Sequence, residues 1–419
     1  MHELNNVQDL DALIEDIGDR RVVMLGEATH GTHEFYTWRA ALSKRLIREK
    51  GFSFIAVEGD WPDCYKINRY IKGYEEGGTD IREVLHNFDR WPTWMWANWE
   101  VAALADWLAE HNKTTANRTK TGFYGLDVYS LWDSMREMMI YLQKEDPQTA
   151  QSVQKAIKCF EPFEDNEQLY ARFSLYEHSC RDKVMALLKE VRMKKQHRDG
   201  DREAGFNTEQ NAFIAVNAEK YYRSMMGFDH ESWNVRDTHM METLDRLLHF
   251  HGPGSKAIVW EHNTHIGDAR ATNMARAGMV NLGQLAREKY GNDQVYLAGF
   301  GTYTGTVIAG KEWGASMKVL KVPEAREGSI EYALHHESPS NRYLLFSNPE
   351  VREMYETAIL HRAIGVVYNP EQERFGNYVP SVLPQRYDAF IFIDQTKALH
   401  ALHLEPHQTK MPETFPFGY

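Results

Sequence analysis

The sequence predicts an α/β protein: a mostly parallel open sheet flanked by helices, with a large helical lobe inserted over an active-site cleft. Three observations predict it. Short apolar runs alternate with stretches of helical periodicity toward both ends of the chain. Four of these runs stop abruptly on an acid or on an acid followed by histidine. Between them, residues 131–250 carry helical patterns and no convincing strand. The α/β core is therefore expected at 1–130 and 251–419, and the inserted helical lobe at 131–250.

Taken in order, residues 8–18 read as a short amphipathic helix closed by Gly18. Val22-Val23-Met24-Leu25-Gly26 is a buried strand that delivers Glu27 and His30 to its own carboxyl end. Phe35, Tyr36, Trp38, Leu42, Leu46 and Ile47 then follow at helical spacing, giving a helix over 33–49 that Gly51 closes. A second strand over 52–58 ends on Glu58, and Trp61-Pro62 opens a helix over 62–72. The stretch 73–100 reads as loop, rich in Trp91, Trp94, Trp96 and Trp99, and runs into a helix over 97–111. A polar linker, 112–120, precedes a third strand over 122–127 that ends on Asp127. Helices are expected over 131–145, 148–160, 166–196, 206–226 and 234–250. Strands then resume over 256–262, which ends on Glu261 and His262, and over 294–299, 302–309, 363–368 and 389–394.

Composition narrows the classes of partner. With 60 acidic residues against 48 Lys and Arg, the formal net charge is −12, which disfavours nucleic acid and anionic membrane. The one dense basic stretch, 189–202, is interleaved with acids and reads as a solvated helix end or loop. The three cysteines, Cys64, Cys159 and Cys180, form no disulfide framework and no zinc pattern, so a reducing cytoplasm is expected. Residues 1–21 lack an apolar signal core, and no run reaches the length of a membrane span.

In a parallel open sheet the carboxyl ends of the strands share one edge. Glu27 and His30, Glu58, Asp127, and His262-Asn263-Thr264-His265 are thereby expected in one crevice, the usual setting for tuned acids and bases. Each also has a bland reading. Glu27 and His30 suit a turn, and Arg39 suits a helix surface. Arg236 suits a salt bridge between lobes, and Asp237 a helix-dipole partner behind an Asn234 cap.

Other chemistries fail on context. Gly305 to Lys311 imitates a P-loop but Glu312 replaces the hydroxyl residue, and Gly299-Phe300-Gly301 opens no helix. No G-x-S-x-G occurs and no cysteine is histidine-flanked, which leaves activated water as the economical nucleophile. His30-Gly31-Thr32-His33 and His262-Asn263-Thr264-His265 are both H-x-x-H, so a metal-dependent hydrolase stands as an alternative, as does a non-catalytic small-molecule binder.

Gly26-Glu27-Ala28-Thr29-His30-Gly31, with Glu34-Phe35, Arg39 and Glu58, resembles the erythromycin esterase family. The likeness continues through Gly125-Leu126-Asp127, Arg236-Asp237-x-x-Met240, Glu261-His262-Asn263-x-His265, Leu282-Gly283-Gln284-Leu285 and Tyr387-Asp388-Ala389-Phe390. It implies an α/β core under a helical lobe, and a cytoplasmic hydrolase of lactones such as macrolides, linked to antibiotic resistance. Some members are instead labelled succinoglycan biosynthesis proteins. The family's catalytic residues fall on His30, Glu27, Glu58, Arg39, His262 and His265, and Asp127, Arg236 and Asn263 are expected to contact substrate. The resemblance implies no metal and no cofactor, and a small-molecule ester or lactone as partner; oligomeric state is left open. His30 would deprotonate a water while Glu27 or Glu58 fixes its tautomer, and Arg39 with His262 or His265 would steady the oxyanion and protonate the alkoxide. Glu261 departs from the alanine common at that position, and is expected either to shift His262 or to point away.

Overall fold

The computed structural model describes residues 1–74, 77–115, 120–163, 166–174, 179–194, 202–227 and 229–403. The linker 112–120 and the basic stretch 189–202 lie partly outside the described residues. Eleven strands occur among the described residues: β1 His2–Glu3, β2 Val22–Leu25, β3 Phe54–Asp60, β4 Gly122–Asp127, β5 Ala257–Trp260, β6 Val295–Ala309, β7 Lys318–Val322, β8 Arg342–Leu345, β9 Ile359–Arg362, β10 Tyr378–Ser381 and β11 Ala389–Thr396. The main sheet runs β1-β8-β11-β6-β2-β5-β3-β4, with β7 paired to the far half of β6, and β9-β10 form a separate pair. From β11 to β4 every neighbour is parallel; β1, β8 and β7 pair antiparallel at the margins.

A parallel sheet covered on both faces needs strands that are apolar on both sides, and β2 shows why this chain makes one. All four of its residues are buried. Val23 and Leu25 pack with Phe35, Leu42 and Leu46 of the helix His33–Lys50. Val22 and Met24 face the other way, with Met240, Leu244 and Leu248 of the helix Asp229–His251. Burying each such side chain contributes about 1.5–3 kcal/mol, so the central strands hold the edge that carries the acids.

Between β4 and β5 the described elements are all helical: Leu131–Glu145, Pro147–Phe160, Glu167–Ser174, Arg181–Met193, Arg202–Ser224 and Asp229–His251. They enclose an apolar cluster of their own, with Met135, Phe160, Leu187 and Tyr221 among its members. The last of them also covers one face of the sheet.

Several expectations need correcting. The helix expected over 166–196 is two, Glu167–Ser174 and Arg181–Met193. The loop 73–100 holds a short helix, Ile81–His86. The strands expected at 294–299 and 302–309 are one fifteen-residue strand, β6. Its glycines look like a break but are a packing device: a Cβ on Gly299 would lie 2.7 Å from the Tyr387 ring, and one on Gly301 2.6 Å from Phe390. No strand forms over 363–368. That apolar segment crosses the strand ends, where Ile364 N donates to Ala28 O and Tyr368 N to Gly310 O, both at 2.8 Å. Cys159 and Cys180 are joined in a disulfide, against the expectation of uniformly reduced cysteine, while Cys64 is free and buried. Among the described residues no helix is long and apolar enough to cross a membrane.

Candidate active site

The carboxyl ends of β2, β3, β4 and β5 meet as the parallel topology requires, and they carry Glu27 and His30, Glu58, Asp127 and His262. The predicted cleft is closed over. Each of these side chains, with Arg39, Arg236, Asn263 and His265, is at most 1 % exposed.

Two chains of contacts organise the site. In the first, His30 Nδ1 lies 2.8 Å from Glu27 Oε1, and Arg39 Nη2 donates to Glu27 Oε2 at 2.6 Å. The Arg39 guanidinium sits over the rings of Tyr36 (4.4 Å) and Trp260 (4.7 Å). A buried carboxylate at Nδ1 places the ring proton there and leaves Nε2 as the basic nitrogen. His30 Nε2 is buried and has no hydrogen-bond partner among the described residues; the same holds for Arg39 Nε and Nη1.

In the second chain Arg236, from the helix Asp229–His251, reaches down onto the strand ends. Its Nε and Nη2 donate to the two oxygens of Asp127 at 3.0 and 2.7 Å, and Nη2 also donates to Glu58 Oε1 at 2.6 Å. Its Nη1 is 3.0 Å from His265 Nε2, and its face lies against the Tyr129 ring. His265 Nδ1 is held by Asp237, with both oxygens at 3.0 Å, and Trp233 stacks on the ring at 4.5 Å. Burial alone would lower the His265 pKa, but Asp237 and Glu58 outweigh it and raise it. Burial would likewise raise Glu58, yet His265, Arg236 and His30 hold it below the usual carboxylate range.

His262 connects the two. Its backbone N–H donates to Glu58 Oε2 at 2.8 Å, and its ring centroid is 5.1 Å from that of His30. Thr264 N, which can only donate, approaches His262 Nδ1 at 3.3 Å, and Thr264 Oγ1 lies at 2.8 Å. Nδ1 is therefore the acceptor and Nε2 carries the proton. Burial, then the neighbouring His30, push the His262 pKa well below its ordinary value, against Glu58, so the ring is neutral.

The geometry sorts the predicted residues. It brings together Glu27, His30, Arg39, Glu58 and His262. Asp127 and Arg236, expected on substrate, are spent on each other and on Glu58, which matches the bland reading of Arg236 as a link between lobes. Both ring nitrogens of His265 are engaged. Asn263 is spent too: Nδ2 donates to Phe300 O (2.7 Å) and lies 3.2 Å from His361 Nε2, and Oδ1 accepts from Phe300 N (3.1 Å). It staples β5 to β6 instead of facing a ligand.

The two H-x-x-H elements meet only through their first histidines, His30 and His262, whose ring centroids are 5.1 Å apart. His33 turns to Glu100 and His265 to Asp237. Glu261 is buried with neither oxygen hydrogen-bonded among the described residues. Burial, Glu58 and Asp237 raise its pKa well above the carboxylate range, which favours the neutral acid.

Two participants escaped the sequence. Asp237 was read only as a dipole partner, yet it anchors His265 and accepts from Leu282 N at 2.9 Å. Asp60 lies two residues beyond the expected end of β3, opposite Asp127. Burial raises its pKa to about 7, with Arg90 opposing and Asp127 adding to the rise. The sequence carries the signal: Gly59-Asp60 immediately precedes Trp61-Pro62, so the strand extends to the residue before the helix.

A helix-covered parallel sheet here gathers acids and histidines at the carboxyl ends of its strands, where α/β proteins place their ligand sites. The erythromycin esterase family model matches residues 47–396, and the chain belongs to that family. Membership supports hydrolase activity. The turn with Glu27, His30 and Arg39 precedes the matched stretch. The chain is 25 % identical over 373 residues to "Erythromycin esterase type II" of Escherichia coli, covering 83 % of this chain and 85 % of that protein. It is 20 % identical over 414 residues to "Putative hydrolase YbfO" of Bacillus subtilis (strain 168), covering 92 % and 86 %. In fold it is similar to a crystal structure of a succinoglycan biosynthesis protein, with a TM-score of 0.78, 21 % identity and coverage of 96 % and 95 %. It is also similar to a histidine-to-asparagine mutant of the erythromycin esterase EreC in its open conformation, with a TM-score of 0.69, 15 % identity and coverage of 96 % and 97 %.

Proposed function

We propose that the protein hydrolyses a carboxylic ester or lactone by water activated at His30, without a covalent intermediate. The observation that carries this reading is the buried Nε2 of His30, left without a proton because Glu27 holds the ring proton at Nδ1 and without a partner among the described residues, with the His262 ring 5.1 Å away between centroids. His30 Nε2 takes a proton from water as the water oxygen bonds to the carbonyl carbon. The charge on the carbonyl oxygen is met by N–H donors, for which His262 Nε2–H and the Nε and Nη1 groups of Arg39 are the candidates. Collapse breaks the carbon–alkoxide bond, and the alkoxide leaves with the proton returned by His30. Of the two histidines weighed for the donor role, His262 is preferred because both nitrogens of His265 are engaged. Arg39 acts chiefly as a positioning residue, since its shortest bond is to Glu27.

Because the site residues are at most 1 % exposed, substrate access requires the elements that cover this edge to part. Macrolide lactones and acylated glycans are the two substrate classes to try first. A panel of such esters on wild type and His30→Asn should show turnover that the variant abolishes with its melting temperature unchanged. Full activity in the variant would remove His30 from the reaction, and ligand binding without turnover would favour a sequestering protein.

A further inference from the structure

His33, the second histidine of the first H-x-x-H element, takes no part in the site above. It is the first residue of the helix His33–Lys50, and its Nδ1 lies 2.5 Å from Glu100 Oε1. Glu100 is in the first turn of the helix Trp99–Lys113. The same Oε1 is 2.6 Å from Nδ1 of His400, on the segment that follows β11. We propose that His33, Glu100 and His400 form a binding site for a divalent transition ion of the zinc class, separate from the hydrolytic centre.

Four observations favour an ion over a plain hydrogen-bonded trio. One ligand atom from each residue lies within 4.8 Å of the other two, and among the described residues this is the one such group of three. The Glu100 side chain is only 4 % exposed, yet its Oε2 is buried with no hydrogen-bond partner among the described residues. A buried carboxylate with one oxygen left without a donor is short of positive partners, and a cation on the same carboxylate offsets that charge. Two imidazoles and a carboxylate are a donor set that suits zinc and its neighbours and not calcium or magnesium, which take oxygen ligands. Finally, the three segments are fixed by backbone contacts. His33 N donates to Lys397 O (2.8 Å), Leu399 N to Gly31 O (3.0 Å), Trp99 N to His400 O (3.0 Å) and Leu402 N to Ala97 O (2.8 Å).

Tetrahedral zinc at about 2.0–2.1 Å from each ligand sets ligand atoms about 3.3 Å apart. The present 2.5 and 2.6 Å contacts must therefore open by less than about 1 Å, and the two imidazole nitrogens, within 4.8 Å of each other, must come to the same spacing, which the 61 % exposure of His400 allows. Water would fill the fourth position. A bound ion would fasten the segment after β11 to the two helix starts, and ligand binding of this kind stabilises the folded chain by mass action.

The test uses the full chain, freed of any affinity tag and stripped of metal, titrated with Zn²⁺ against a chromogenic zinc indicator and followed by calorimetry. Wild type should bind one Zn²⁺ per chain and melt several degrees higher with zinc, and Co²⁺ should give the visible bands of a tetrahedral site. His400→Ala and Glu100→Gln should each weaken zinc binding at least tenfold and abolish the rise in melting temperature. His400 is exposed enough that its variant folds even if the Glu100 variant does not. Equal zinc affinity in wild type and His400→Ala, or no zinc uptake by wild type at micromolar concentration, overturns the proposal.

Discussion

Arg236→Met is the sharpest test of how the helices are held to the sheet. Methionine keeps much of the buried volume but removes every N–H that serves Asp127, Glu58 and His265. Breaking a buried ion pair from one side typically costs about 3–5 kcal/mol, because the remaining charge is stranded in low dielectric. Here two carboxylates are stranded, but each keeps one backbone donor: Val128 N on Asp127 and His262 N on Glu58, both at 2.8 Å. The loss is therefore expected near about 4–5 kcal/mol at pH 8, not twice the single-pair value. That is about a quarter or more of a typical domain's stability. The sign with pH follows from Glu58, which Arg236 helps hold low. Without the guanidinium its folded pKa rises, so the penalty is largest at high pH and shrinks as Glu58 protonates. Urea-unfolding midpoints of wild type and variant at pH 8 and pH 5 measure this, and Arg236→Met with Asp127→Asn should recover part of the loss at pH 8. A difference below about 1 kcal/mol, or one indifferent to pH, would refute the reasoning.

Glu27→Gln should lower kcat by about 10³–10⁴ with little change in KM, since an amide that donates to His30 Nδ1 moves the ring proton to Nε2 and removes the base; a loss below tenfold in steady-state kinetics sinks the tautomer argument. His239 is buried, and burial pushes its pKa down to about 4 despite the opposing charge of Asp127. A depressed histidine leaves the unfolded chain binding the extra proton, so stability falls as pH drops from about 6.5 to 4, by up to about 3 kcal/mol. His239→Gln should flatten that part of the stability–pH curve, and an unchanged slope would show that other groups set it. Gly31→Ala would put a Cβ 2.1 Å from Ile308 O and 2.8 Å from Ile308 N, both backbone atoms of β6. It should cost at least about 2 kcal/mol, and an unaltered melting temperature would show that the turn yields freely.

The sequence by itself determined the core architecture and the address of the site. Apolar runs with both faces buried force a parallel sheet, a parallel sheet puts strand ends on one edge, and Glu27, His30, Glu58, Asp127 and His262 follow from position alone. Only the tertiary structure decided what each group does there. Arg236 meets Asp127 across 109 residues and Glu58 across 178, and no local period records such a meeting. The same holds for Asn263, whose amide goes to Phe300, and for the disulfide between Cys159 and Cys180. His30 and His33 share one short motif, yet the turn at Gly31 and Thr32 sends one ring to Glu27 and the other to Glu100. Secondary structure is written in spacing along the chain, whereas the partner of a buried charge is fixed by which distant groups packing leaves within about 3 Å of it.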